Sequence, residues 1–207
     1  MPRCSDAGWT VRGRNAFVTS GLDRISDPET RVLAGLAESL REDYESEDVD
    51  PWSGSPFAWI KRRPSRQVGA IGEKLVAGWC ATKGFDVVRS PDSDADRIVE
   101  GHRVEIKFST LWASGGYKFQ QVRDQDYDYL FCIGVSPFES HAWVIPKSVL
   151  YEYVIGVTGQ HTGAGGSDTA WIGFQASAPP DWIGPYGGTL SAARDVLAGY
   201  GRGPHGG

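Results

Sequence analysis

The chain predicts an α/β domain in which helices flank a mixed central β-sheet. Three observations point to this class. Apolar residues at helical spacing in 65–84 are followed by three short β-like segments at 85–89, 95–100 and 103–109. Residues 129–135 form a near-continuous apolar run, as expected of a strand buried on both faces. Further helices are expected from Lys118, over 146–154 and over 189–198. The order helix, three strands, helix, strand fits a layered α/β domain.

Each element has a local cause. Ser26-Asp27-Pro28-Glu29 reads as a helix start, with a capping carboxylate and proline in the first turn. Val32, Leu33, Leu36 and Leu40 follow at helical spacing, and this helix should fade near Tyr44. The stretch 50–56, rich in proline, glycine and serine, is a connector. Ser65 is placed to cap the second helix, whose stripe is Val68, Ile71, Leu75, Val76 and Trp79, and Gly84 ends it. Gly69 and Gly72 interrupt it at a cost of about 1 kcal/mol each against alanine, which predicts close packing of another backbone there. His141 to Ile145 reads as the hairpin partner of the 129–135 strand, and 168–176 as a further strand. The expected organisation is an N-terminal arm, helix and connector over 1–60, a core over 61–155, and a C-terminal elaboration of the same domain over 156–207, ending in a frayed tail.

Composition narrows the class. No apolar run approaches the roughly 18–20 residues that cross a bilayer, and no secretory h-region is visible in the first 21 residues. Cys4, Cys80 and Cys132 are odd in number and far apart, so they suggest neither a disulfide framework nor a zinc site. A reducing, cytoplasmic setting is expected. The net charge of −5 is uneven: residues 27–50 carry nine acids against two arginines, leaving the rest at +2. The acidic stretch reads as a solvated helix face and loop. Lys61, Arg62, Arg63 and Arg66 form a basic cluster, and local charge sets phosphate attraction.

The chemistry-bearing pattern lies on the second and third strands. If Glu100-Gly101 forms a two-residue turn, Val99 pairs with His102, Ile98 with Arg103 and Arg97 with Val104. Asp96 then faces Glu105, and Lys107 projects from the same face, while Ile106 and Phe108 turn toward a core. Two opposed carboxylates are unfavourable as bare structure and sensible as a cation site. Asp96 and Glu105 offer hard oxygen ligands suited to Mg²⁺, with the Ile106 carbonyl as a further ligand. The other reading is an ordinary cross-strand ion pair, since D-x(8)-E-x-K is a loose pattern. Asp92 follows Pro91 but falls before the hairpin. Asp94 shares a face with Asp96 and remains its competitor, although the register favours Asp96.

Four pieces resemble the PD-(D/E)xK nuclease superfamily, particularly its restriction-endonuclease members. They are Gly69-Ala70-Ile71-Gly72-Glu73, residues 94–101 opening on the aspartates, Arg103-Val104-Glu105-Ile106-Lys107-Phe108-Ser109, and Lys118-Phe119-Gln120-Gln121-Val122-Arg123. The resemblance covers roughly a third of the chain. It implies an αβββαβ core and Mg²⁺-dependent hydrolysis of DNA phosphodiesters, with Asp96, Glu105 and Lys107 catalytic. It also implies an acid from the first helix, Glu73, and a glutamine, Gln120 or Gln121, with Gln121 preferred and the other facing solvent.

Double-stranded DNA is the expected partner, and cutting both strands with one site per chain favours a homodimer. Lys61, Arg62, Arg63 and Arg66 precede a helix N-terminus that itself favours phosphate. Ser109, Thr110, Trp112, Tyr117 and Lys118 leave the catalytic strand directly and suit backbone contact and groove entry. Arg123 could bind phosphate or pair with Asp124 or Asp126. His161, a lone loop histidine, is a weak candidate.

Overall fold

The computed structural model describes residues 26–28, 30, 32–34, 50–157 and 169–201. The chain divides between Val49 and Asp50 into two units. In the first, the Asp27 carboxylate accepts the Thr30 N–H at 2.7 Å and the Thr30 hydroxyl at 2.5 Å. This is the expected cap, and Pro28, Thr30 and Val32 to Ala34 are helical. The arm 1–25, the rest of that helix and His161 lie outside the described residues.

The second unit begins earlier than residue 61. Trp52 and Ile60 are buried, so the connector is part of its packing. A single turn, α1 (Ala58–Lys61), leads into α2 (Ser65–Thr82). Ser65 is the first helical residue rather than the cap, and the Pro64 carbonyl accepts from the Gln67 and Val68 N–H groups. The helix closes as a Schellman motif: Gly84 N–H reaches the Ala81 carbonyl and Phe85 N–H that of Cys80. Gly84 has φ of +84°, which glycine adopts without a Cβ penalty.

The buried face of α2 is Gly72, Val76 and Cys80, narrower than the stripe read from the sequence; Leu75 is exposed. Small residues let the helix approach the sheet closely. A Cβ on Gly72 would lie 2.2 Å from the Cβ of Phe108, whereas one on Gly69 would meet nothing within 4 Å. The glycine expectation therefore holds at Gly72 alone, and the neighbour is a side chain rather than a backbone.

Five strands make the central sheet, in the order β1 (Val87–Arg89), β2 (Arg97–Val99), β3 (His102–Thr110), β5 (Tyr129–Val135), β6 (Ser140–Pro146). The β3–β5 pair is parallel and the others antiparallel, so the sheet is mixed. Alternation on β5 and β6 feeds two cores. Phe131, Ile133, Ala142 and Val144 pack with α2 and with α4 (Leu190–Gly201). Leu130, Cys132, Trp143 and Ile145 pack on the other side, with α3 (Lys147–Tyr153) and a two-stranded ribbon. The C-terminal helix continues to Gly201, past the point at which a tail was expected.

The ribbon corrects the expected αβββαβ order. Residues from Lys118 do not start a helix; they lie in β4 (Gly116–Val122), which pairs antiparallel with β7 (Ala170–Gln175). Tyr117 and Phe119 are buried while Lys118 and Gln120 are exposed, a period of two that satisfies a half-buried strand, and Val122 is buried again after a register shift. The partner strand lies some fifty residues downstream, so local sequence carried no record of the pairing. Among the described residues, no helix is long and apolar enough to cross a membrane.

Candidate functional site

The site grows from a hairpin with the expected register. Val99 pairs with His102, Ile98 with Arg103 and Arg97 with Val104. Glu100 and Gly101 have φ of +51° and +82°, the positive values a two-residue type I′ turn requires. Strand β2 then stops at Arg97. On that side, β3 from Glu105 onward has no strand partner.

Asp96 fills the gap. Its Oδ2 accepts the Ile106 N–H at 2.8 Å, so a carboxylate replaces the missing strand at the open edge. In a strand the N–H and C=O of one residue point to the same edge, so the Ile106 carbonyl is directed toward Asp96 too. Glu105 and Lys107 share the opposite face from Ile106, and Lys107 Nζ lies 2.6 Å from Glu105 Oε1. Glu105 is buried, at 7 % exposure. Its burial and the Asp96 carboxylate raise its pKa, against the lowering by Lys107.

A cleft of about 660 Å³ opens over this edge. Asp96, Glu105, Ile106 and Lys107 line it, with Ser65, Arg66, Gly69 and Glu73 from α2, and Lys61 and Arg63 from its approach. The far wall holds Ser109, Thr110, Trp112, Lys118, Gln120 and Gln121. Glu73 sits 3.6 Å from Arg97 Nη1. Its pKa is raised by burial and by Asp96, with Arg97 opposing. Arg97, not singled out from the sequence, also donates to the Asp96 carbonyl at 2.6 Å and so braces the turn into the site. Alternation along β2 was the available signal, since Arg97 pairs with Val104 and so shares the face that α2 covers.

The two glutamines are not divided between site and solvent. A register shift between Phe119 and Val122, with Gln121 at φ of +58°, leaves Gln120 and Gln121 both exposed and both in the cleft. Such bulges re-aim side chains beside functional sites. A non-glycine residue in this region costs roughly 1–2 kcal/mol.

Three expected DNA contacts lie elsewhere. Tyr117 is buried, its hydroxyl 3.0 Å from His141 Nδ1, and is a core residue. Its strand alternation opposite to Lys118 is the cause. Arg62 is exposed but does not line the cleft, and neither does Arg123, whose carbonyl accepts the Tyr127 hydroxyl. Ser109 is buried at the cleft wall, where its hydroxyl accepts the Lys118 N–H and donates to the Thr110 carbonyl.

Asp92 is held outside the cleft by Arg103, with Nη1–Oδ2 at 3.0 Å and Nη2–Oδ1 at 2.6 Å. Arg103 keeps its carboxyl below the usual range. Asp94 faces Gln125, 3.4 Å away, and does not line the cleft either. Asp96→Asn is therefore expected to remove any activity of this cleft, while Asp92→Asn and Asp94→Asn retain most of it. A plasmid-nicking time course compares the three; loss in Asp94→Asn alone would show that the wrong carboxylate has been assigned.

Among the described residues, no three His, Cys, Asp or Glu side chains converge into a metal-holding group. The hard-oxygen set is two carboxylates and a backbone carbonyl, which suits an ion that keeps waters of its own.

One solved structure aligns with the chain at low similarity. Described as a bacterial homing endonuclease, it aligns with 67 % of this chain and 96 % of its own, at 17 % identity and a TM-score of 0.43. No family model matches the sequence, and no curated protein does.

Proposed function

We propose that this protein is a metal-dependent DNA endonuclease that hydrolyses phosphodiester bonds, with Mg²⁺ as cofactor. One observation carries the reading: two neighbouring carboxylates, Asp96 and Glu105, and the Lys107 ammonium meet in one cleft with Lys61, Arg63 and Arg66. Asp96, Glu105 and the Ile106 carbonyl would hold the ion. It would supply Lewis acidity and a lower pKa for water.

The remaining work belongs to the chain. Lys107 Nζ would orient the attacking water and counter negative charge growing on the phosphate oxygens. The Gln120 and Gln121 amides would donate to the scissile phosphate from the far wall. Lys61, Arg63 and Arg66 would hold the strand, aided by the N-terminus of α2, whose first turn has no acid to oppose phosphate. Glu73, braced by Arg97, would be the outer acid.

Within this reading, a restriction-type homodimer cutting both strands of a duplex follows from the superfamily resemblance and from two-fold logic. Exposed indoles beside the cleft favour instead a repair or junction-cutting nuclease acting on distorted DNA. Incubation of supercoiled plasmid with Mg²⁺ or with EDTA tests the common core. Nicked or linear product with Mg²⁺ alone is expected. Absence of product, or equal cutting in EDTA, overturns the proposal.

The basic wall gives a separate expected result. Exchanging Lys61, Arg63 and Arg66 for glutamine should weaken duplex binding for every sequence. It should flatten the slope of log affinity against log salt by about 2.7, at about 0.9 per phosphate contact. Arg62→Gln should leave the slope unchanged, because Arg62 does not line the cleft. Salt titrations in EDTA measure both, and an unchanged slope in the triple variant would move the DNA path elsewhere.

A further inference from the structure

The outer face of the β4–β7 ribbon carries a grouping that the hydrolytic site does not use. Lys118 stands directly opposite Gly173, and Trp171 lies two residues from Gly173 on the same face. A Cβ on Gly173 would come within 2.5 Å of Trp171 Cζ3, so only glycine lets this indole lie across its own strand. Lys118 Nζ sits 5.6 Å from the Trp171 ring centroid and 4.6 Å from that of Trp112. Trp112 comes from the loop after β3, which is closed by hydrogen bonds between Trp112 and residues Gly115 and Gly116. Both indoles remain well exposed, at 45 % and 39 %, whereas Tyr117 and Phe119 of the same ribbon are buried.

The grouping is continuous with the cleft, because Trp112 and Lys118 line it. We propose that Trp112, Lys118 and Trp171 form a stacking site for an unstacked nucleobase of DNA held in the cleft, a proposal that rests on the endonuclease reading. Indole faces stack on any base, and the Lys118 ammonium is placed to meet the phosphate of the same nucleotide. A cationic ligand is disfavoured, since Lys118 already brings a positive charge to both rings. The cations Lys61, Arg63 and Arg66 beside the site complement a polyanion. The preferred substrate would then be a duplex with an unpaired or extruded base.

Two duplexes of one sequence separate the possibilities, one fully paired and one with a single unpaired 2-aminopurine. Affinity and 2-aminopurine fluorescence are read in EDTA with the full chain. The wild type should bind the unpaired duplex roughly 5- to 100-fold more tightly and quench the probe. The Trp112→Ala/Trp171→Ala double variant should bind both duplexes with the affinity of the paired one. Gly173→Val, which displaces the Trp171 indole without removing it, should lose most of the preference as well. Circular dichroism and melting confirm that the variants fold. Equal binding of both duplexes by the wild type, or a preference that survives in the double variant, overturns the stacking site. If preference and quenching stand while plasmid is never cut, the stacking site holds and the endonuclease reading fails. If plasmid is cut without preference, the reverse is true.

Discussion

Glu105→Gln and Lys107→Met should each reduce DNA cleavage by about 10²-fold or more, the scale seen when one preorganised charge-stabilising group is removed. The two changes differ in their effect on folding. Lys107 lines the open cleft, so Glu105→Gln leaves an ammonium that water can reach. Glu105 is buried, so loss of Lys107 strands a carboxylate whose pKa burial already raises. Lys107→Met should therefore cost stability, about 1–3 kcal/mol, less than the ~3–5 of a fully enclosed pair. The double variant should recover much of that loss and remain inactive, because the buried charge and its partner leave together. Nicking rates and thermal melts of the two single variants and the double variant check this. Wild-type cutting by either single variant would remove Glu105 and Lys107 from the reactive centre.

Ile106→Asp should prevent folding. Ile106 is buried among Val76, Val104, Phe131 and Phe108, and an unpaired carboxylate there costs several kcal/mol of a total near 5–15. Gly72 gives a graded version of the same test. Alanine would gain about 1 kcal/mol of helix propensity. Its Cβ would meet the Phe108 Cβ at 2.2 Å, and that atom sits on the strand backbone and cannot rotate aside. Overpacking of about 1–3 kcal/mol should win, so Gly72→Ala should melt lower than wild type. Gly69→Ala should melt higher, with nothing within 4 Å of its Cβ. A Gly72→Ala protein as stable as wild type would mean that α2 does not pack on β3 at this depth.

Local signals determined the hairpin and which side chains share its faces. The Glu100-Gly101 turn, the strict alternation through Glu105-Ile106-Lys107 and the apolar run of β5 each depend on neighbours within a few residues, and the register followed from them. The Asp27 cap and the Gly84 stop are of the same kind. Other features needed partners distant in the chain. Pairing with β7 makes residues from Lys118 a strand rather than a helix and sets the bulge that turns both glutamines into the cleft. Arg103 holds Asp92 outside the cleft, and the early end of β2 lets Asp96 bond to Ile106. The same ribbon buries Tyr117 and leaves Trp171 on the outer face beside Lys118. Sequence alone thus determined which groups share a strand face, because alternation and turn geometry are local. Tertiary structure decided which of them meet in the cleft, because a strand's own alternation does not say which strand some fifty residues away it pairs with.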